Sequence, residues 1–274
     1  GRITEKYRRF KEVISKYREI PEVKLSMNIE RRDYGRLEVK DKVSLFSVID
    51  DISEPVFSVY TQSMEKLGQS YGYILYHSSL DTEENIERIK LWKANDRAHI
   101  FIDEKPYATL YDRELLEECK NTVDDVNGKA IDILVENMGR VNFGPYLELQ
   151  RKGIDHCVQI NGHMHNNWMQ YTLPLDNVEK LDFSKDYKEG TPAFFRFEVN
   201  VDECGDTFLD LEGWGKGCVF VNGFNIGRFW KIGPQKRLYI PAPLLRKGKN
   251  EIIVFETDGE RTEYVSLKDE PELG

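Results

Sequence analysis

GWGKGCVFVNGFNIGRFWKIGPQKRLYIP, residues 213–241, decides the fold class. An apolar run over residues 218–221 stops at Asn222-Gly223, the dipeptide that tolerates positive φ at both centres of a tight hairpin turn. An aromatic corner at Phe229 and Trp230 follows, then a turn at Gly233-Pro234 and a second strand over residues 237–240. Glycines set among aromatic residues let backbone pack closely against rings. The stretch is scaffold: it holds no obvious nucleophile, base or metal-ligand set.

Working outward, this stretch has a counterpart upstream. AHIFIDEKPYAT (98–109) resembles GCVFVNGFNIGR (217–228), with Asp103-Glu104 standing where Asn222-Gly223 stands. GKAIDILVEN (128–137) resembles GKNEIIVFET (248–257), each opening a strand with Gly-Lys. The offsets are 119 residues for the first pair (103 against 222) and 120 for the second (128 against 248). A weaker third pair sets YGYILYHSSL (71–80) against AFFRFEVNV (193–201). Three pairs in order at near-constant offset predict one β-sandwich built twice rather than one large domain.

The remaining chain is divided on this basis. Ile3, Tyr7, Phe10, Val13, Ile14 and Tyr17 recur at helical spacing, and Pro21 ends the segment, so residues 1–21 are expected to hold an amphipathic helix. Residues 22–165 are assigned to a first sandwich with lead-in strands at 36–39 and 43–49, and further strands at 72–77, 98–102 and 131–135. Glu54-Pro55 and residues 66–70 read as loops, and the acidic stretch 80–90 as a helical turn or a surface loop. A second sandwich is assigned to 166–274, starting near Trp168 and ending with a strand over 262–267.

Composition narrows the function classes. A chain of 274 residues, 40% hydrophobic and 12% aromatic, can fill about two cores. The net charge of −9, with Lys and Arg interleaved with acids, argues against nucleic-acid or anionic-membrane partners. No apolar run approaches the ~20 residues that span a bilayer. Cys119, Cys157, Cys204 and Cys218 are far apart without a CxxC spacing, which argues against a zinc or redox motif. The opening residues lack the layout of a signal peptide and look like the start of a fragment, which leaves the compartment open and points weakly to the cytoplasm.

Candidate chemistry is sparse. His156, His163 and His165 invite a metal, but no Cys, Asp or Glu set completes a site beside them. Asn250-Glu251 has the form of a glycosidase acid pair, yet the repeat maps it onto Ala130 and Ile131, which merely open a core strand. There is no G-x-S-x-G elbow, G-x-G-x-x-G or P-loop. No cofactor is expected. ENMGRVNFGPY (136–146) does stand out: a core strand runs into a glycine-bearing loop carrying Arg140, Asn142, Phe143 and Tyr146. Rings beside planar polar groups suit sugar recognition, and equally suit a structural turn in which Arg140 pairs with an acid.

DILVENMGRVNFG, followed at the right distance by residues 213–241, resembles the C-terminal part of β-galactosidases of glycoside hydrolase family 35, and the likeness covers almost the whole chain. It implies an all-β fold of two tandem jelly-roll, galactose-binding-domain-like sandwiches preceded by one α-helix that ends a catalytic barrel. It further implies that the two catalytic glutamates lie on an N-terminal (β/α)₈ barrel absent here, so the chain contributes no catalytic residue and meets β-galactosides through that barrel. Phe143 matches a family tyrosine that reaches the rim of the barrel pocket, which preserves ring contact and loses the hydroxyl. Arg140 and Asn142 match neighbouring positions that support the loop.

Two other readings remain open. The chain could be an independent galactoside-binding module using Trp92, Trp214 or Trp230 as a platform, or it could offer a surface for homo-oligomerisation.

Overall fold

The computed structural model describes residues 3–21 and 30–272, in two compact units, Gly1–Glu30 and Arg31–Gly274. The first unit holds helix α1 (Glu5–Ser15), where Thr4 caps the N-terminus by accepting the Tyr7 N–H at 3.3 Å. Its apolar stripe is solvent-exposed. Residues 22–29, the first part of the expected lead-in, lie outside the described residues.

In the second unit β1 (Gly35–Glu38) and β2 (Asp41–Ser44) run into helix α2 (Leu45–Ile52), followed by β3 (Pro55–Ser58) and β4 (Tyr73–Leu80). Next come β5 (Ile89–Asn95), β6 (Arg97–Ile102), β7 (Lys105–Tyr111), β8 (Lys129–Glu136), β9 (Gly153–Ile160), β10 (His163–His165) and β11 (Trp168–Leu173). The remaining strands are β12 (Ala193–Val201), β13 (Thr207–Asp210), β14 (Lys216–Val221), β15 (Phe224–Trp230), β16 (Arg237–Ile240), β17 (Gly248–Glu256) and β18 (Tyr264–Lys268).

Among the described residues these strands form four sheets, ordered β10-β9-β5, β3-β11-β4-β8-β6-β7, β15-β14-β17-β12-β2 and β1-β18-β13-β16. The fold is all-β, and the duplication is visible in its pairing. The run β4-β8-β6-β7 in one large sheet matches β12-β17-β14-β15 in the other, every pair antiparallel. Both hairpins turn on two residues of positive φ, Asp103 and Glu104 in one and Asn222 and Gly223 in the other. Each also carries a register shift at the same place, Ile100/Phe101 and Val219/Phe220.

Side-chain alternation accounts for the layering. In the six-stranded sheet Ile74, Tyr76, Ile100, Ile131 and Ile133 face a core closed by Ile89, Leu91, Ile154 and Val158 of the three-stranded sheet. In the five-stranded sheet Phe195, Phe197, Val219, Ile252 and Val254 face Leu37, Leu209, Val265 and Leu267 of the four-stranded sheet. The opposite faces of the two large sheets share a third cluster, in which Tyr73, Leu75 and Leu134 join Phe194, Phe220, Ile253 and Phe255. Phe194 stacks on Phe255 at 4.4 Å, and Tyr73 meets Phe255 edge-on at 5.1 Å. Both large sheets are thus apolar on both faces, which is why their strands read as nearly unbroken hydrophobic runs. Burying each such Phe or Leu contributes about 1.5–3 kcal/mol, so the two sandwiches are held as one body by the same force that fills each of them.

Several expectations are corrected by this arrangement. The run 43–49 is not one strand: β2 ends at Ser44, and Leu45, Val48, Ile49 and Ile52 take helical spacing to lay one face of α2 into the shared cluster. Residues 224–230 form a full strand rather than a corner, because Asn222-Gly223 reverses the chain directly onto β14. Pro55 opens an edge strand, where its missing N–H costs no ladder bond. The pairing also crosses the expected division at 165/166. β11 pairs with β3 and β4 in the first sandwich, while the lead-in strands β1 and β2 pair with β18 and β12 in the second. Each addition covers the open edge of a repeat sheet, β11 beside β4 and β2 beside β12, which removes an exposed row of backbone donors and acceptors.

Candidate functional site

The loop leaving β8 is built on an internal scaffold of hydrogen bonds. Asn137 donates from its backbone to Gly72 O and from its side chain to Ser70 O, both at 3.0 Å, and its Oδ1 accepts the Gly139 N–H at 3.0 Å. The Met138 N–H bonds Asp96 Oδ2 at 2.7 Å, and Asp96 in turn takes the ammonium of the buried Lys152 at 2.7 Å. Glu65 accepts the Lys152 N–H at 3.1 Å and Arg140 Nη2 at 2.6 Å, and Arg140 also reaches Gln150 O at 3.3 Å. Burial pushes the Glu65 carboxyl up, but the Arg140 and Lys152 bonds outweigh it and hold the group below its usual range.

On this base the loop projects outward. Phe143 is 84% exposed, and Val141, Tyr146, Leu147 and Leu149 are exposed with it. Asn142 is exposed as well. The three residues singled out from sequence therefore separate: Arg140 is tied to Glu65 and the loop's return, whereas Asn142 and Phe143 are held out in the exposed part of the loop. A ring this exposed offers apolar contact area to a second surface and, taken alone, no chemistry.

A buried ionic network, which sequence reasoning missed, joins the sandwiches behind the loop. Lys216 Nζ donates to Glu136 Oε1 at 2.6 Å, and Arg97 donates to both oxygens of Asp258, at 2.9 and 3.1 Å. Arg97 also donates to His99 Nε2, leaving Nδ1–H to donate to Thr109 Oγ1 at 3.1 Å. Burial, with the Arg97 and Lys216 charges, drives the His99 pKa well down, so the ring is neutral. The Glu256 carboxyl accepts the N–H groups of Lys216, Asp258 and Gly259. Burial, reinforced by Asp258, nevertheless pushes it up to about 8.

The network follows the repeat. Arg97 and Lys216 are equivalent at the first offset, and each pairs with an acid of the other copy, Asp258 and Glu136. The second offset does not carry over to the acids, because in the strand register Glu136 lies across from Arg97 whereas Glu256 lies across from Gly217. Tyr111 and Trp230, again equivalent, meet edge-on at 5.4 Å. The available signal was Glu136 itself, since an acid closing an apolar strand needs a buried partner.

The remaining sequence candidates are accounted for structurally. Trp214 is core and donates to Tyr264 O at 3.0 Å, while Trp230 lies under Arg97 and Lys216. Trp92 is exposed, with its N–H on Gln159 Oε1 at 2.8 Å. His165 Nε2 lies 2.9 Å from Ser78 Oγ and the ring packs on Trp168.

Comparison with known proteins places this geometry. The family model for the first all-beta domain of beta-galactosidase matches residues 61–174, and that for the beta-galactosidase galactose-binding domain matches 192–250. The chain belongs to the β-galactosidase family. It is 33% identical to Beta-galactosidase 17 of Arabidopsis thaliana over 94% of its length, and 35% identical to Beta-galactosidase 8 of Oryza sativa subsp. japonica over 98%. Beta-galactosidase-1-like protein 2 of Homo sapiens is 34% identical over 93%. The chain spans 42%, 47% and 41% of these relatives' own lengths, less than half in each case. Both matched segments are accessory β-domains of that family, and the first extends through β11, as the strand pairing does.

Proposed function

We propose that this chain is the accessory region of a β-galactosidase, docking on a (β/α)₈ barrel that hydrolyses terminal β-linked galactose with retention. In this reading the helix in residues 1–21 closes that barrel, the two sandwiches buttress it, and Phe143 stands at the rim of its pocket. Arg140, through Glu65, positions the loop, and Asn142 flanks the ring.

The observation that carries the reading is the loop 141–149. A scaffold of hydrogen bonds at Arg140, Lys152 and Asp96 holds out a set of exposed apolar side chains for which the sandwiches have no use. Such a patch on a firm base suits a docking surface. The exposed stripe of α1 supports the same view.

Two measurements test it. The purified chain should release no product from a chromogenic β-galactoside, and turnover surviving removal of its buried acids would defeat the assignment. Mixed with the barrel of a related β-galactosidase, the chain should associate, and Phe143→Ala should weaken the complex without lowering the chain's own melting temperature. Equal association by the variant would remove Phe143 from the interface.

A further inference from the structure

Where the ends of β4 and β8 meet β14 and β15, the two sandwiches leave a cleft of about 460 Å³. Its floor is polar and only partly bonded. Glu136, 2% exposed, gives Oε1 to the Lys216 ammonium, while its Oε2 accepts no hydrogen bond from the described residues. The buried Tyr73 hydroxyl has only the weakly bonding Cys218 thiol beside it and makes no hydrogen bond of ordinary geometry among them. Buried polar groups are nearly always satisfied, so two in one cleft indicate a place that receives an outside group.

The walls specify what kind of group. Arg228, half-exposed, bonds Asn137 O at 3.2 Å and has further N–H groups to offer, and Tyr71 presents an exposed ring at the mouth. An anion would meet the bare carboxylate oxygen of Glu136. A cation would meet Lys216, already on the other oxygen, and Arg228, whose Nη1 lies 3.9 Å from it. A neutral group that both donates and accepts satisfies all of them: one hydroxyl donates to Glu136 Oε2, and a neighbouring oxygen accepts from Tyr73 or Arg228. An apolar ring face alongside would lie on Tyr71.

We propose that this inter-sandwich cleft binds a neutral polyhydroxylated ligand, one pyranose unit or a polyol of similar size. The cleft borders Gly139 and Arg140 at the base of the loop but includes neither Phe143 nor any part of a barrel, so binding there can be separated from the function proposed above.

The test uses the whole 274-residue chain. Galactose, glucose and glycerol are titrated by calorimetry and by saturation-transfer NMR, with galacturonate and galactosamine as charged controls. One-to-one binding of a neutral ligand is expected with Kd on the order of 1 mM. Arg228→Ala and Tyr71→Ala, both at exposed positions, should each weaken it about tenfold or more, since a charge-assisted bond or a stacking face is lost. Glu136→Gln should abolish it, provided its melt shows a folded protein. Phe143→Ala should bind as the parent does. No binding of any neutral ligand, tighter binding of a charged control, or unchanged affinity in both Arg228→Ala and Tyr71→Ala overturns the assignment. Loss of binding in Phe143→Ala would move the sugar to the loop and also overturn it.

Discussion

Arg97→Met tests whether charge fastens the two copies together. The Arg97 side chain is 7% exposed, bonds both oxygens of Asp258, and lies over the Trp230 ring, 5.8 Å from its centroid. Methionine keeps the apolar stem but leaves Asp258, itself 10% exposed, without its guanidinium. Breaking a buried pair from one side costs about 3–5 kcal/mol. Two charge-assisted bonds at about 1.5–3 kcal/mol each, less than additive, give the same range. The expected loss is therefore about 4 kcal/mol, or a fall in melting temperature on the order of 10 °C for a unit of this size. Urea denaturation followed by tryptophan fluorescence measures it. Asp258→Asn completes a double-mutant cycle in which the double variant should lose about 2 kcal/mol less than the two single losses combined. A loss below about 1 kcal/mol, or strict additivity, would refute the idea that this pair couples the sandwiches.

Other outcomes follow from the same geometry. The folded-state pKa of Glu256, about 8, stands above its ordinary 4.5, so its contribution to stability is full below 4.5 and is lost as pH rises toward 8. Glu256→Gln should flatten that part of the stability profile, and parallel profiles for the two proteins would refute the shift. A Cβ at Gly217 would come within 1.8 Å of Phe255 O, so Gly217→Ala must part β14 from β17 and should cost about 3 kcal/mol in denaturant unfolding. Phe143→Ala, at an exposed ring, should leave the chain's own stability within about 0.5 kcal/mol of the parent.

Local sequence was enough for the duplicated fold. The Asn222-Gly223 turn, the Gly-Lys strand starts and the near-constant offset are short-range signals, since turn chemistry and side-chain alternation are set by residues a few positions apart. The same signals identified the loop carrying Arg140, Asn142 and Phe143. They did not place the flanking strands in their sheets. β2, β3 and β11 join their sheets through backbone hydrogen bonds, which carry no side-chain code. Nor did they reveal α2, whose eight residues make sense as a helix only against the cluster that receives Leu45 and Val48.

By itself the sequence determined the two copies and the loop that leaves β8. Only tertiary structure decided that the copies pack large sheet to large sheet, and hence that Lys216 meets Glu136, that Arg97 meets Asp258, and that a polar cleft opens beside them. Those partners are separated by 80 and 161 residues, and no local preference specifies a contact that forms only after two finished sheets bury their apolar faces together.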